Sequence, residues 1–190
     1  RSGFSSVMVD GSALPLEGNI ELTNRVVDVA RAVGVSVEAE LGRIGGTEDN
    51  VSVSEREAAM TDPQEALRFV QDTEVDALAV AIGTAHGQYK GKPELDFERL
   101  KKIRELVNVP IVLHGSSGVP DEDIRKAIQL GVRKVNIDTN LREAFVYKMR
   151  EVLAEKPKEI DPRKILGPAR DALQEVVQQK IRLFGSSNKA

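Results

Sequence analysis

Cysteine and tryptophan are absent from this chain of 190 residues, and only two histidines occur. Without cysteine there is neither a disulfide nor a catalytic thiol, which excludes the small secreted proteins that disulfides hold together. No apolar run approaches the roughly 18 residues of a membrane-spanning helix, so no membrane partner is expected. Basic and acidic residues nearly balance at 27 and 30, and the chain has no long basic run, so no nucleic-acid partner is expected. Since no signal peptide is visible either, we expect a cytoplasmic protein.

Short apolar segments alternate with amphipathic segments along the chain. The predicted strands are residues 6–10, 35–41, 77–83, 111–114 and 134–138. The predicted helices are residues 19–32, a helix opened by Asp62 and Pro63, and residues 97–107, 121–130 and 141–154. A last helix over 169–184 is led into by Asp161-Pro162-Arg163. Strands and helices that alternate at this spacing are typical of βα units and a parallel sheet.

Polar residues lie at or just beyond the carboxyl end of every predicted strand: Asp10, Glu40, His86, His114 and Asp138. A (β/α)8 barrel keeps its chemistry on the loops after many strands, whereas an open doubly wound sheet uses mainly one crevice. The pattern therefore favours the barrel, but a closed barrel needs eight strands. We predict an α/β fold in which this chain supplies about five strands of a (β/α)8 barrel and lacks the first three. Residues 1–190 are then one domain with a helical extension over 155–190; the alternative is a complete five-stranded domain.

The two histidines occupy similar positions. His114 follows an apolar strand and opens the turn Gly115-Ser116-Ser117-Gly118, and His86 lies in Gly83-Thr84-Ala85-His86-Gly87. Imidazoles at the ends of parallel strands can bind one zinc ion, although structural and acid–base roles explain two histidines equally well. The backbone N–H groups and the hydroxyls of the turn after His114 suit a phosphate.

Carboxylates accompany these histidines. Glu38 and Glu40 are two residues apart on one predicted strand and therefore share a face. Glu40 is the better candidate for a metal ligand, while Glu38 fits a satisfied interior carboxylate, and Asp10 could orient a ligand. Glu48 lies on a glycine-rich segment, residues 42–57, that we predict to be a mobile loop; a carboxylate there could transfer a proton or simply be solvated.

The last predicted strand adds an anion-binding set. Asn136 and Asp138 share a face, and Thr139 begins a helix whose N-terminus favours an anion. With Gly87, Gly115 and Ser117, these residues predict a phosphate site. Arg142 could reach a second phosphate, or it could be an ordinary exposed helix residue.

Several segments together resemble the class II, zinc-dependent ketose-bisphosphate aldolases. The resemblance covers the whole chain and is carried by Val37-Glu38-Ala39-Glu40-Leu41-Gly42, Gly45-Gly46-Thr47-Glu48-Asp49, Gly83-Thr84-Ala85-His86-Gly87, Leu113-His114-Gly115-Ser116-Ser117-Gly118 and Val135-Asn136-Ile137-Asp138-Thr139. It implies a (β/α)8 barrel that cleaves fructose 1,6-bisphosphate reversibly to dihydroxyacetone phosphate and glyceraldehyde 3-phosphate. It also implies a homo-oligomer, either a dimer or a tetramer.

The resemblance also implies roles for single residues. His86 and His114 match zinc ligands, Glu40 matches a carboxylate that ligates the metal in some states, and Asp10 matches a carboxylate near it. Glu48 matches the acid that transfers a proton, and Asn136 matches the residue that holds the enediolate. The residues that match the family's phosphate site are Gly87, Gly115, Ser117, Asp138 and Thr139. The family also binds a monovalent cation (Na⁺ or K⁺) there, beside the backbone of Ala85, Gly87 and Gly115. Arg142 matches the residue that contacts the far phosphate of the bisphosphate.

One part of the family pattern is absent. The family carries an Asp-His pair, with an acid/base aspartate and a third zinc-binding histidine, on a strand that would precede Gly3. We therefore expect this chain alone to be inactive. Asp138 with Arg142 favours fructose bisphosphate as the substrate; the alternatives are a tagatose-bisphosphate aldolase and a truncated, non-catalytic barrel fragment.

Overall fold

The structure is a computed structural model that describes residues 2–48, 51–53, 60–87 and 93–189, with the backbone alone for 45–48 and 51–53. The strands are β1 (Ser6–Asp10), β2 (Ser36–Leu41), β3 (Gly45–Glu48), β4 (Val51–Val53), β5 (Ala77–Val80), β6 (Ala85–His86), β7 (Ile111–Leu113) and β8 (Val132–Val135). The helices are α1 (Leu16–Arg31), α2 (Pro63–Thr73), α3 (Phe97–Leu106), α4 (Asp121–Gln129), α5 (Thr139–Glu155) and α6 (Pro162–Leu183).

The main sheet has five parallel strands in the order β1-β2-β5-β7-β8. Each strand therefore lies beside the next main-sheet strand along the chain, and the order never reverses. A doubly wound sheet reverses its strand order at a switch point, so this order is that of consecutive βα units in a barrel. The predicted parallel α/β architecture with five strands is confirmed.

The last strand of the sheet differs from its prediction. We predict residues 134–138, whereas β8 spans Val132–Val135 and pairs from Val132 opposite Ile111 of β7. Arg133 and Lys134 interrupt the apolar pattern and hide the start of the strand. Pairing with β7, rather than a run of apolar residues, decides where this strand lies.

A second correction concerns the glycine-rich segment after β2. Residues 45–48 and 51–53 are not loop but the antiparallel strands β3 and β4, and β6 pairs in parallel with β3, so a three-stranded sheet forms in the order β4-β3-β6. His86 consequently lies in this small sheet rather than at the end of β5. Backbone pairing needs no alternation of apolar side chains, so hydrophobic periodicity did not reveal it.

The helix boundaries follow local signals. Asp62 caps α2, since its side chain accepts hydrogen bonds from the backbone N–H groups of Gln64 and Glu65 at 2.8 and 3.0 Å, as the Asp-Pro pair predicts. Asp161 caps α6 in the same way through the N–H of Arg163. That helix begins at Pro162, in the Asp161-Pro162-Arg163 segment that is predicted to lead into it, and continues past Pro168.

The apolar core lies between the main sheet and the helices that cover it. Among its fully buried side chains are Phe69, Leu78, Leu100, Ile103, Ile111, Leu113 and Ile124. The chain divides into two compact units, Arg1–Asn136 and Ile137–Ala190; the first holds the whole main sheet, and in the second α5 packs against α6. Among the residues that the structure describes, no helix is both long enough and apolar enough to cross a membrane.

Candidate metal centre

The interior face of the main sheet carries charged side chains. Glu38 and Glu40 lie on β2 with Ala39 between them, and His114 follows the last residue of β7. All three are buried, with at most 5% of the residue exposed. Buried carboxylates are unfavourable without partners, so the contacts of Glu38 and Glu40 with their neighbours matter.

His114 lies between the two glutamates. Its Nε2 is 2.8 Å from Oε1 of Glu38, and its Nδ1 is 3.0 Å from Oε2 of Glu40. Glu38 has a further partner, because its Oε2 lies 2.6 Å from Nζ of Lys134. The four side chains form a continuous network of polar contacts, in the order Lys134, Glu38, His114 and Glu40, across the interior face of the sheet.

These contacts change the protonation of the centre in the absence of a metal. Burial lowers the pKa of His114, but hydrogen bonds to Glu38 and Glu40 and their charges outweigh it and raise the pKa from 6.5 to about 9. Burial also works to raise the pKa of Glu38, yet the hydrogen bonds from His114 and Lys134 dominate and hold that pKa below 4.5. At neutral pH the metal-free centre therefore holds an imidazolium beside an ionised Glu38, and a metal would displace the proton on His114.

His86 completes the cluster. One potential ligand atom from each of Glu40, His86 and His114 lies within 4.8 Å of the other two. The two imidazole rings have centroids 6.0 Å apart and are inclined at 71°, which is a T-shaped arrangement. In the part of the chain that the structure describes, this is the one group of three such side chains that could hold a metal ion.

The donor set fits zinc. Two imidazoles and a carboxylate are ligands that zinc prefers, and a catalytic zinc has three protein ligands and one open position. The Nε2–H of His114 donates to Glu38, and this leaves Nδ1, on the side of Glu40, for a metal. A carboxylate behind a metal-binding histidine fixes its tautomer and its orientation.

A glycine brings the two histidines together. Gly115 has φ +61°, and a Cβ on it would lie 2.5 Å from the carbonyl oxygen of Ala85, the neighbour of His86. Since the turn after β7 packs directly on the backbone of β6, a side chain at position 115 would separate them.

Glu40 is held from behind by α1. Nδ2 of the buried Asn19 donates to the backbone carbonyl of Glu40 at 2.9 Å, and Oδ1 of Asn19 accepts from the hydroxyl of Thr23 at 3.2 Å. The sequence prediction missed Asn19 and Lys134 as neighbours of the centre. Asn19 could have been found from the sequence as a polar residue on the apolar side of an amphipathic helix. No sequence pattern indicates Lys134.

The remaining predicted residues of the first unit lie as follows. Asp10 ends β1 in register with Glu40, and its Oδ1 accepts from the N–H of Ser12 at 2.9 Å. The backbone N–H of Asn136 donates to the carbonyl of Leu113 at 3.0 Å. Gly87 directly follows His86 with φ +83°, and Ser117 is buried in the turn after His114. Glu48 ends β3, where the structure describes the backbone alone.

The second unit carries the other three. Thr139 is the first residue of α5, and Asp138 precedes it at the capping position without a side-chain bond to the helix N-terminus. Asp138 instead pairs with Arg142 through two contacts, Oδ1 to Nε at 2.9 Å and Oδ2 to Nη2 at 2.8 Å. Both side chains are exposed. The Asp138 carboxylate accepts no hydrogen bond from the N-terminal N–H groups of α5, whereas its backbone carbonyl accepts from the N–H groups of Leu141 and Arg142.

Comparison with known proteins places this geometry in a family. The family model described as fructose-bisphosphate aldolase class-II matches residues 1–189. A fructose-bisphosphate aldolase of Thermus caldophilus is 50% identical over 100% of this chain and 70% of that protein.

Solved structures agree. The YdjI aldolase of Escherichia coli is 41% identical with a TM-score of 0.83 and covers 99% of this chain. The fructose-bisphosphate aldolase of Campylobacter jejuni is 26% identical with a TM-score of 0.78 over 98% of it. The chain spans 64% and 62% of these two structures, which are (β/α)8 barrels, so the prediction of a partial barrel is confirmed. With its ordered parallel strands and its His–His–Glu cluster, the chain belongs to the class II fructose-bisphosphate aldolase family.

Proposed function

We propose that this chain carries the metal-binding and phosphate-binding residues of a zinc-dependent aldolase that cleaves fructose 1,6-bisphosphate reversibly. The observation that supports the proposal is the buried cluster of Glu40, His86 and His114 beside a glycine-rich turn. A buried cluster of this composition is unstable without a cation or protons, and the turn offers the backbone N–H groups that a phosphate needs.

Zinc bound at this cluster would act as a Lewis acid on the ketone oxygen of dihydroxyacetone phosphate. The chain's own residues hold and orient the partners of that chemistry. His86 and His114 supply neutral nitrogens, Glu40 supplies a negative charge, and Asp10 lies beside Glu40 on the neighbouring strand. Glu48 would exchange the proton on the carbon next to the ketone, and the side-chain amide of Asn136 would hydrogen-bond the substrate oxygens.

Phosphate binding is assigned to backbone and hydroxyl groups. The N–H groups after His86 and His114, on Gly87 and Gly115, would donate to the phosphate of dihydroxyacetone phosphate, together with the hydroxyl of Ser117. In the second unit, Thr139 begins α5, and the dipole at a helix N-terminus favours an anion. We place a monovalent cation, Na⁺ or K⁺, at the backbone of Ala85, Gly87 and Gly115, where it would offset the charge of that phosphate.

The choice between two sugar bisphosphates rests on the second unit. The paired side chains of Asp138 and Arg142 present a carboxylate and a guanidinium together. We assign Arg142 to the far phosphate and Asp138 to the discrimination between fructose and tagatose 1,6-bisphosphate, with fructose preferred. Tagatose bisphosphate as the preferred substrate is the second candidate.

The test is to purify the protein as its host makes it and to measure bound metal and aldol cleavage. We expect one tightly bound zinc ion per active centre and loss of activity on chelation. His86→Ala should lose both the metal and the cleavage activity, while Arg31→Ala, which removes an exposed ion pair with Glu74, should change neither.

Two results would contradict the proposal. One is a wild-type protein that cleaves the sugar bisphosphate undiminished after complete removal of metal. The other is a His86→Ala protein that keeps wild-type zinc content. A protein that binds zinc but cleaves neither sugar bisphosphate would instead support the alternative that this protein is a non-catalytic barrel fragment.

A further inference from the structure

Lys134 takes part in the centre although it lies on a distant strand. It occupies β8, in register with Val112 of β7, while Glu38 lies on β2. Since β5 and β7 separate β2 from β8 in the sheet, the lysine side chain reaches across two strands on the interior face. It ends with Nζ 2.6 Å from Oε2 of Glu38.

The two partners of this ion pair have different surroundings. The lysine side chain is 52% exposed, whereas that of Glu38 is 7% exposed. Glu38 is the partner that needs the pair, because a buried carboxylate is unfavourable without a counter-charge. What the pair does is hold one oxygen of a buried carboxylate whose other oxygen contacts a candidate metal ligand.

We infer that Lys134 is a positioning residue of the metal centre and acts through Glu38 on His114. Nζ holds Oε2 of Glu38, which aims Oε1 at Nε2 of His114 and leaves Nδ1 directed toward Glu40 and the metal. This inference rests on the proposed function, because it assigns the metal to the same cluster.

Charge supports the same assignment. Glu38 and Glu40 are two carboxylates on one strand face, and a free Glu38 would compete with the imidazole for a divalent ion. The ammonium group of Lys134 offsets the charge of Glu38 and holds its second oxygen. Glu38 therefore stays on the side of the His114 ring that faces away from the metal. Without Lys134 the Glu38 carboxylate gains the freedom to turn about its terminal bond and the imidazole loses its fixed orientation.

The experiment compares zinc affinity among lysine variants of the protein as its host makes it. Lys134→Met removes the charge and keeps the length, and Lys134→Arg keeps the charge and the donors. Lys101→Met is the matched control, because Lys101 is 45% exposed and lies 2.7 Å from Glu98, whose side chain is 76% exposed. Zinc affinity is measured by competition with a chromophoric chelator, and the absorption spectrum of bound Co²⁺ reports the geometry of the ligands.

We expect Lys134→Met to bind zinc about tenfold more weakly, the lower end of what loss of a residue behind the ligands costs, with a changed Co²⁺ spectrum. Lys134→Arg should restore most of the affinity, and Lys101→Met should match the wild type. In a Glu38→Gln background, Lys134→Met should cause no further loss, because the lysine acts through Glu38. If methionine prevents folding, Lys134→Gln serves instead, with the same expected loss.

Three results overturn the inference: unchanged affinity and Co²⁺ spectrum in Lys134→Met, equal losses in the Met and Arg variants, or additive losses with Glu38→Gln. These are distinguishable from failure of the proposed function. A wild-type protein that binds no zinc overturns both statements, whereas a wild-type protein that binds zinc equally well without Lys134 overturns this inference alone.

Discussion

Two ion pairs of the same length lie in the two units of this protein. In the first unit Nε2 of His114 is 2.8 Å from Oε1 of Glu38, and in the second Nη2 of Arg142 is 2.8 Å from Oδ2 of Asp138. The side chains of the first pair are 5% and 7% exposed, and those of the second are 71% and 60% exposed.

The two pairs therefore have the same length but differ in burial. Removing one partner of a buried pair leaves a charge without water and costs several kcal/mol, whereas an exposed pair is screened and contributes between zero and 1 kcal/mol. The buried pair holds a geometry that a metal can use, and the exposed pair stays available to a ligand.

The largest effect is expected from His114→Ala in metal-free protein. The change leaves Glu40 without its imidazole and Glu38 with Lys134 alone, so we expect about 3 kcal/mol of lost stability. Denaturation by urea in the presence of a chelator, near pH 6 where His114 is protonated in the folded protein, measures it. A loss below 1 kcal/mol would show that the buried pair is no more stabilising than an exposed one.

A pair of intermediate burial should give an intermediate effect. Asp96 caps α3 by accepting from the N–H of Arg99 at 2.8 Å and also pairs with its guanidinium at 3.1 Å. The side chains of this pair are 29% and 37% exposed. We expect Asp96→Ala to cost about 1 kcal/mol, the usual value of a helix cap.

The pH dependence of that effect has a definite sign. The N–H of Arg99, followed by its guanidinium and by Lys102, outweighs partial burial and holds the pKa of Asp96 below 3.8. A depressed pKa stabilises the folded state above the unfolded pKa, and this contribution is lost as the pH falls through the folded value. The stability difference between wild type and Asp96→Ala should be full at pH 7 and shrink below about pH 4; a difference that grows on acidification would be inconsistent with this assignment.

The exposed pair should matter to substrate choice more than to folding. In a full-length version of the protein, we expect Asp138→Ala to narrow the preference for fructose over tagatose 1,6-bisphosphate several-fold, which corresponds to about the free energy of one hydrogen bond. The ratio of kcat/KM for the two sugars measures this preference. Lys148→Met on the same helix is the control, since Nζ of Lys148 lies 2.7 Å from Oε1 of Glu151. An unchanged ratio would remove Asp138 from the specificity argument.

The smallest effect is expected from Arg142→Ala on stability. The pair with Asp138 is exposed and four residues apart on one helix, where such pairs contribute about 0.3–0.5 kcal/mol. Urea denaturation should show a loss within that range. A loss similar to that of His114→Ala would show that distance, rather than burial, governs these pairs.

Hydrophobic periodicity and polar strand ends predict many of the strand and helix positions from the sequence. The bounds of β1 and the starts of β5, β7, α3 and α4 agree with their predictions. Helix α3 follows its capping residue Asp96, α4 directly follows Pro120, and β5 and β7 begin where apolar residues follow Asp76 and Pro110. The hairpin of β3 and β4 and the start of β8 were missed. Their residues carry little apolar signal, and backbone pairing with distant strands decides their structure.

The sequence by itself determined the alternation of strand and helix and the types of chemical groups available: two imidazoles, strand-end carboxylates and glycine-rich turns. Local propensity and hydrophobic pattern suffice for this, since both act between residues near in the chain. Only the tertiary structure decided that Glu38 turns to His114 and reaches Lys134, 96 residues further along the chain. Side chains meet across a sheet according to strand order and register, which long-range pairing sets and no local pattern contains.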